Sequence, residues 1–192
     1  MTFACWFFRE RWVFGIQTLQ ELGQAHHFEV IATEDPAVFR DEVLQNFEVI
    51  VFLNTTGDVL DAAQQAAFER FIRSGKGFVG IHAAADTEYD WPFYSGLIGA
   101  YFASHPAVQT ATVKVIDRTH PSTAMLPARW VRTDEWYNFR SNPYGKVHVL
   151  AVLDETSYSG GSMGSVHPIA WCQVYEGGRS WYTAGGHTEA AY

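Results

Sequence analysis

The sequence predicts an α/β protein, with a doubly wound, largely parallel sheet that turns strand-rich and partly antiparallel in its second half. Three observations carry that expectation. Helical and strand patterns alternate three times between residues 12 and 81, as when helices cross over a parallel sheet. Residues 47–53 are a near-continuous apolar run, which suits a strand buried on both faces. Beyond Gly99 the helical spacing gives way to alternating and aromatic strand patterns with short turns.

In chain order, residues 12–25 place Val13, Ile16, Leu19 and Leu22 at helical spacing, and Gly23 stands where a helix would stop. Residues 28–32 read as a short strand. Asp35-Pro36 opens a second helix to about Asn46, with Pro36 favourable in the first turn. Strand 47–53 ends in the polar turn Asn54-Thr55-Thr56-Gly57-Asp58. A third helix over 60–74 sets Ala63, Ala67, Phe68, Phe71 and Ile72 on one side, and Gly75 and Gly77 lead into strand 78–81. An aromatic segment, 89–94, follows. Residues 108–115 alternate as a half-exposed strand, residues 130–133 lead into Asp134-Glu135, and 147–153, 169–175 and 180–183 are further strands. The last two join through Glu176-Gly177-Gly178. The 192 residues read as a single domain. Its first strand, over 2–8, and its last helix are both expected to be incomplete.

Composition narrows the function. Hydrophobic residues at 47% against 18% charged describe a globular chain. A net charge of −8 without a Lys/Arg cluster argues against nucleic acid as a partner. No apolar run approaches the roughly 20 residues of a membrane span. Arg9, Glu10 and Arg11 break the apolar start, which has neither a basic opening nor a small-residue cleavage site. Cys5 and Cys172 form no CxxC pair, so neither a disulfide framework nor a thiolate zinc site is expected, and a reducing cytoplasm suits the chain. Aromatics at 16% either fill the core or wall a cleft for a small molecule.

The polar residues near strand ends are the candidates for chemistry. His82 stands one residue beyond strand 78–81, at the carboxyl end where open α/β sheets bind ligands. Asp86, four residues on, is placed to face the same pocket, beside Trp91 and Tyr94. His105 and His167 both precede proline. Asp134-Glu135 is a paired carboxylate among aromatics that include Trp136 and Tyr137. Desolvation there would raise a pKa and make one of the pair a usable acid or base; an ion pair with Arg132 or Arg140 is the plainer alternative. His187 follows a glycine pair that lets backbone approach closely. Histidine with carboxylate serves general acid–base catalysis. It also serves a divalent zinc, manganese or iron centre, for which His82 and His187 are the candidate ligands. There is no HExxH, GxSxG or P-loop pattern.

Taken together, GxGFVGIHAAADT (75–87), WPFYxxLIGAYFxSHP (91–106), DRxHPxT (117–123), TDEWYNFRxNP (133–143) and HPIAWCxxYxGGRSWYTxxGH (167–187) resemble the ThuA-like, or trehalose-utilisation, family. The resemblance runs from about Leu19 to the C-terminus. It implies a flavodoxin-like three-layer sandwich akin to class I glutamine amidotransferases. Where those enzymes carry a cysteine nucleophile, this chain has Gly80-Ile81-His82-Ala83-Ala84, so an acyl-enzyme mechanism is not expected. The family association implies carbohydrate metabolism on a keto-disaccharide or related glycoside. His82, Glu135, His187 and Asp134 would do the chemistry, with a divalent metal ion as an optional cofactor. Asp86, Trp91, Tyr94, His105, Trp136 and Tyr137 would contact the sugar. The alternative is a non-catalytic carbohydrate- or partner-binding domain, and a homo-oligomer is left open. At the N-terminus Phe7-Phe8-Arg9-Glu10 keeps only the Phe-Arg of the family's polar loop, with Glu10 where a histidine would fall.

Overall fold

A computed structural model describes residues 2–7 and 13–192. Among these, nine strands form one mixed sheet in the order β2-β1-β3-β5-β13-β12-β11-β8-β9. Its parallel half comprises β1 (Thr2–Phe7), β2 (Glu29–Thr33), β3 (Val49–Leu53), β5 (Gly77–Ile81) and β13 (Gly178–Thr183). The antiparallel half comprises β12 (His167–Tyr175), β11 (His148–Leu153), β8 (Gln109–Val115) and β9 (Arg129–Asp134). Two small pairs stand apart: β4 (Thr56–Gly57) with β6 (Asp86–Thr87), and β7 (Phe102–Ser104) with β10 (Asn138–Phe139).

Alternation along β3 explains how both faces fill. Phe52 points into the larger core with Phe68 from α3 (Ala62–Arg73) and Tyr94 from α4 (Pro92–Ile98). Val51 and Leu53 point the other way, onto Ile16 and Leu19 of α1 (Val13–His26). Asp61 caps α3 in a capping box with Gln64. The aromatic heart is close-packed, with Phe52 stacked on Phe68 at 5.6 Å and on Tyr94 at 5.7 Å between ring centroids.

Two elements differ from the sequence reading. The second helix is broken into a 3₁₀ turn, Pro36–Val38, and a single α-turn, α2 (Asp41–Leu44). Arg40 between them is extended, which lets Phe39 turn inward against Phe52 and Phe68. Burying that ring outweighs the hydrogen bonds of a continuous helix. The segment after Trp91 is a helix, α4, started by Pro92 and stopped by Gly99 at φ +88°. The N-terminal strand expected at 2–8 is present at Thr2–Phe7, pairing with both β2 and β3. The residues of the altered polar loop, Phe8, Arg9 and Glu10, lie outside the described residues. The chain closes in a 3₁₀ turn, Glu189–Ala191.

The sheet order carries a consequence for function. Four successive antiparallel pairings separate β13 from β9, so β9 runs in the same direction as β5 and β13. Its carboxyl end therefore lies on the rim that theirs define, and Asp134 at that end is hydrogen-bonded to the turn after β13. That rim is where ligands collect in α/β folds.

Candidate active site

Three segments meet on this rim: the turn after β5, the residues after β9 and the turn after β13. The first is a sharp corner. His82 leads a four-residue 3₁₀ turn, His82–Ala85, with its own backbone in the left-handed region at φ +50°. A non-glycine residue there is strained, so the surroundings must hold it. Tyr182 donates to the carbonyl of His82 at 2.9 Å, and Tyr94 donates to that of Ala84 at 2.7 Å. Gly80 gives the corner room: a Cβ there would stand 2.8 Å from Cδ1 of Ile98.

The side chain of His82 is buried and oriented. Its Nδ1 lies 2.7 Å from the carbonyl oxygen of Ala184, a partner that only accepts, so Nδ1 carries the proton and donates. Its Nε2 then faces Oε2 of Glu135 at 3.2 Å and Nδ1 of His187 at 3.2 Å. His187 Nδ1 lies 3.4 Å from the same Glu135 oxygen. The other oxygen of Glu135, Oε1, meets Nδ1 of His105 at 3.1 Å. Exposure grades across the group: the side chains are 1% exposed at His82, 10% at Glu135, 38% at His187 and 42% at His105, so the two outer imidazoles are nearest solvent.

Electrostatics follow from this crowding. Burial alone would push the Glu135 carboxyl up. The imidazoles of His82, His187 and His105 gathered around it outweigh burial and hold the group below the usual carboxylate range. The sequence reading expected desolvation to raise the pKa of one of the Asp134-Glu135 pair; at Glu135 the surrounding imidazoles, invisible in the sequence, reverse that. His187 is pushed below the ordinary imidazole value, chiefly by burial and against the pull of Glu135. Burial also raises the Tyr137 hydroxyl, whose ring packs tilted against His82 at 4.1 Å and Phe102 at 4.3 Å between centroids.

Asp134 has a different task from its neighbour. Its carboxylate accepts from the backbone N–H groups of Gly186 (2.8 Å), His187 (3.1 Å), Thr188 (3.3 Å) and Glu135 (3.0 Å). It ties the end of β9 to the turn that carries His187, with its oxygens committed to backbone. The ion pairs considered with Arg132 and Arg140 do not form. Arg132 bonds the carbonyl of Ala190 and lies over Trp130, and Arg140 lies 3.8 Å over the ring of Tyr89.

Of the residues assigned to sugar contact, Tyr137 and His105 stand at the group, and Asp86 stands nearby, accepting from the Tyr89 hydroxyl. Trp91 and Tyr94 are buried away from the group, and Trp136 borders a different cavity, one it shares with Leu19, Trp130 and Trp181. Trp91 packs on Phe68 and donates to Glu69, Tyr94 lies in the aromatic heart, and Trp136 is buried with its indole N–H on the carbonyl of Gln109. Each has its polar tip satisfied within the protein, as core Trp and Tyr do.

Two further residues are positioning ones: Asn54, which the sequence reading left out, and His167, which it named among the polar candidates. Asn54, at φ +53° in the polar turn after β3, donates to the carbonyl of Gly186 at 3.2 Å. His167 is fully buried, with Nε2 2.8 Å from the carbonyl of Tyr137 and Nδ1 2.9 Å from Glu155. The polar turn at 54–58 was the available signal for Asn54; nothing in the sequence tied His167 to Tyr137. Cys172 lies on β12 opposite His148 and Trp181, with its thiol 3.8 Å from His120, and takes no part in the group around His82.

Fold and site together define an α/β domain that gathers two histidines and a glutamate from three distant stretches at the carboxyl rim of its sheet. The chain belongs to the ThuA family: the family model described as trehalose utilisation matches residues 5–192. A ThuA-like protein from Bacteroides uniformis is 27% identical with a TM-score of 0.84, covering 100% of this chain and 84% of that one. One from Parabacteroides merdae is 19% identical with a TM-score of 0.79, over 98% and 80% of the two chains. A protein from Salmonella typhimurium, described as cytoplasmic, shares the fold at 11% identity and a TM-score of 0.69, over 96% and 88%. No curated protein sequence matches the chain significantly. No helix among the described residues is long and apolar enough to cross a membrane.

Proposed function

We propose that this chain is a cytoplasmic enzyme of carbohydrate metabolism that acts on a keto-disaccharide or related glycoside through His82, Glu135 and His187. The observation that carries the reading is their convergence, with reactive atoms 3.2–3.4 Å apart although the residues are spread from 82 to 187. Membership in a family described as trehalose utilisation supplies the substrate class. We further read the fold as a flavodoxin-like three-layer sandwich related to class I glutamine amidotransferases. The left-handed backbone of His82 supports this, because it occupies the strained strand-to-helix corner where such enzymes display a nucleophile. An imidazole with its Nδ1 proton held by Ala184 does not replace a cysteine in acyl transfer, so the chemistry is of another kind.

Proton transfer next to a ketone fits the group, with or without a divalent ion among its members. A base removes the proton from the carbon beside the carbonyl. The electron pair moves onto the carbonyl oxygen, where a donor or cation must meet it. His187, far more exposed than His82, and the ionised Glu135 would contact the reacting atoms, while His82 fixes their relative placement. The half-buried ring of Phe102, backed by the buried Tyr137, would give the apolar face of a sugar ring a surface to rest on. Asp134 acts through the turn it holds, as a positioning residue. A non-catalytic binding domain would need the aromatic surface but not this polar convergence, which favours the enzyme.

The test is incubation with 3-keto-trehalose and other 3-keto-glycosides beside their unoxidised parents, followed by NMR. Consumption of a keto-glycoside with its parent untouched is expected. Binding of the keto-sugars without turnover of any of them would overturn the enzymatic reading in favour of the binding domain.

A further inference from the structure

We infer that His82 Nε2, His187 Nδ1 and Glu135 Oε2 are three ligands of one tetrahedral divalent transition-metal site of the zinc class. The inference deepens the reading above and uses the same side chains, but it does not depend on the substrate being a sugar.

The first argument is the direction of the lone pairs. With Nδ1 of His82 donating to Ala184, its Nε2 presents an electron pair, and that pair faces a carboxyl oxygen of Glu135 at 3.2 Å. Two electron-rich atoms at that separation repel unless something positive lies between them. His187 aims a third ligand-type atom, Nδ1, at the same space.

The second argument is size. A tetrahedral ion with bonds of about 2.0–2.1 Å to nitrogen and oxygen separates its ligands by roughly 3.3–3.4 Å. The three separations here are 3.2, 3.2 and 3.4 Å, so the ligand atoms already span one triangular face of such a tetrahedron.

Third, the surroundings are those that metal ligands need. A backbone carbonyl fixes the tautomer of His82, His105 holds the other oxygen of Glu135, and the Asp134 carboxylate clamps the backbone that carries His187. Such outer partners set the orientation and basicity of the ligands. Two imidazoles and a carboxylate select Zn²⁺, Co²⁺, Mn²⁺ or Fe²⁺ over Mg²⁺ and Ca²⁺, which take oxygen ligands. The ion would polarise a ketone oxygen, which is the electrophilic part of the proposed chemistry. The competing arrangement is a single proton on His82 Nε2, shared by Glu135 and His187.

Titration of chelator-stripped protein with Co²⁺ separates the two without any activity assay. One Co²⁺ per chain with the intense visible bands of a tetrahedral site is expected, lost in His187→Ala and in Glu135→Gln. Cys172→Ser should keep both stoichiometry and spectrum, which excludes capture by the thiol beside His120. His187 is partly exposed and Gln matches Glu in shape, so circular dichroism should show both variants folded. Absence of a 1:1 tetrahedral complex, or its persistence unchanged in Glu135→Gln, overturns the site. The keto-sugar reading would then still stand or fall on turnover alone.

Discussion

Glu135→Gln is expected to lower kcat on a 3-keto-glycoside by about a thousandfold, within the range that general acid–base groups contribute. The substitution keeps the shape of the side chain and removes its charge. Glu135 is the hub of the group, with one oxygen toward His82 and His187 and the other toward His105. A neutral amide presents one oxygen and one donor, so at least one imidazole loses its acceptor. A thermal melt close to that of the parent protein, beside the lost kcat, would assign the effect to chemistry and not to folding. A loss of less than about tenfold would remove Glu135 from the reaction.

Asp134→Ala should produce the largest loss of stability of any substitution near the site, roughly 3–5 kcal/mol. The carboxylate is 3% exposed and accepts from four backbone N–H groups, three of them in the turn after β13. Each orphaned donor costs on the order of 1–3 kcal/mol, less where water enters in its place. In a domain of this size that corresponds to a fall in Tm of about 10 °C. Asp134→Asn, which retains one acceptor oxygen, should fall between the two. Urea or thermal unfolding of both variants checks this. An alanine variant as stable as the parent would mean that the turn carrying His187 is held by something else.

The pair Asp134-Glu135 shows what a sequence can and cannot disclose. That the pair belongs to the site was legible, because two adjacent carboxylates among aromatics are unusual. Their division of labour was not. It depends on the backbone of residues 186–188 for one and on three imidazoles for the other, and both sets lie far away in the chain. The parallel half of the sheet was legible because apolar runs such as 49–53 must be buried on both faces. The return of β9 to the active rim was not, since it follows from counting four pairings that local pattern does not specify. Aromatic residues were the weakest guide. Trp91, Tyr94 and Trp136 look like cleft residues in a motif, yet all three are buried with their polar tips satisfied within the protein, and of that set it is Tyr137 that touches the histidines. The corner at His82 is the reverse case: strand end, small residues and histidine were all visible, and the left-handed backbone adds the reason the corner must be held from several sides.

The most direct measurement is exchange of the hydrogen beside the ketone when the protein is incubated with 3-keto-trehalose in D₂O. Proton NMR is expected to show that signal disappearing with the parent protein and persisting with Glu135→Gln. A signal that persists with the parent protein while the sugar is bound would contradict proton transfer at His82, Glu135 and His187.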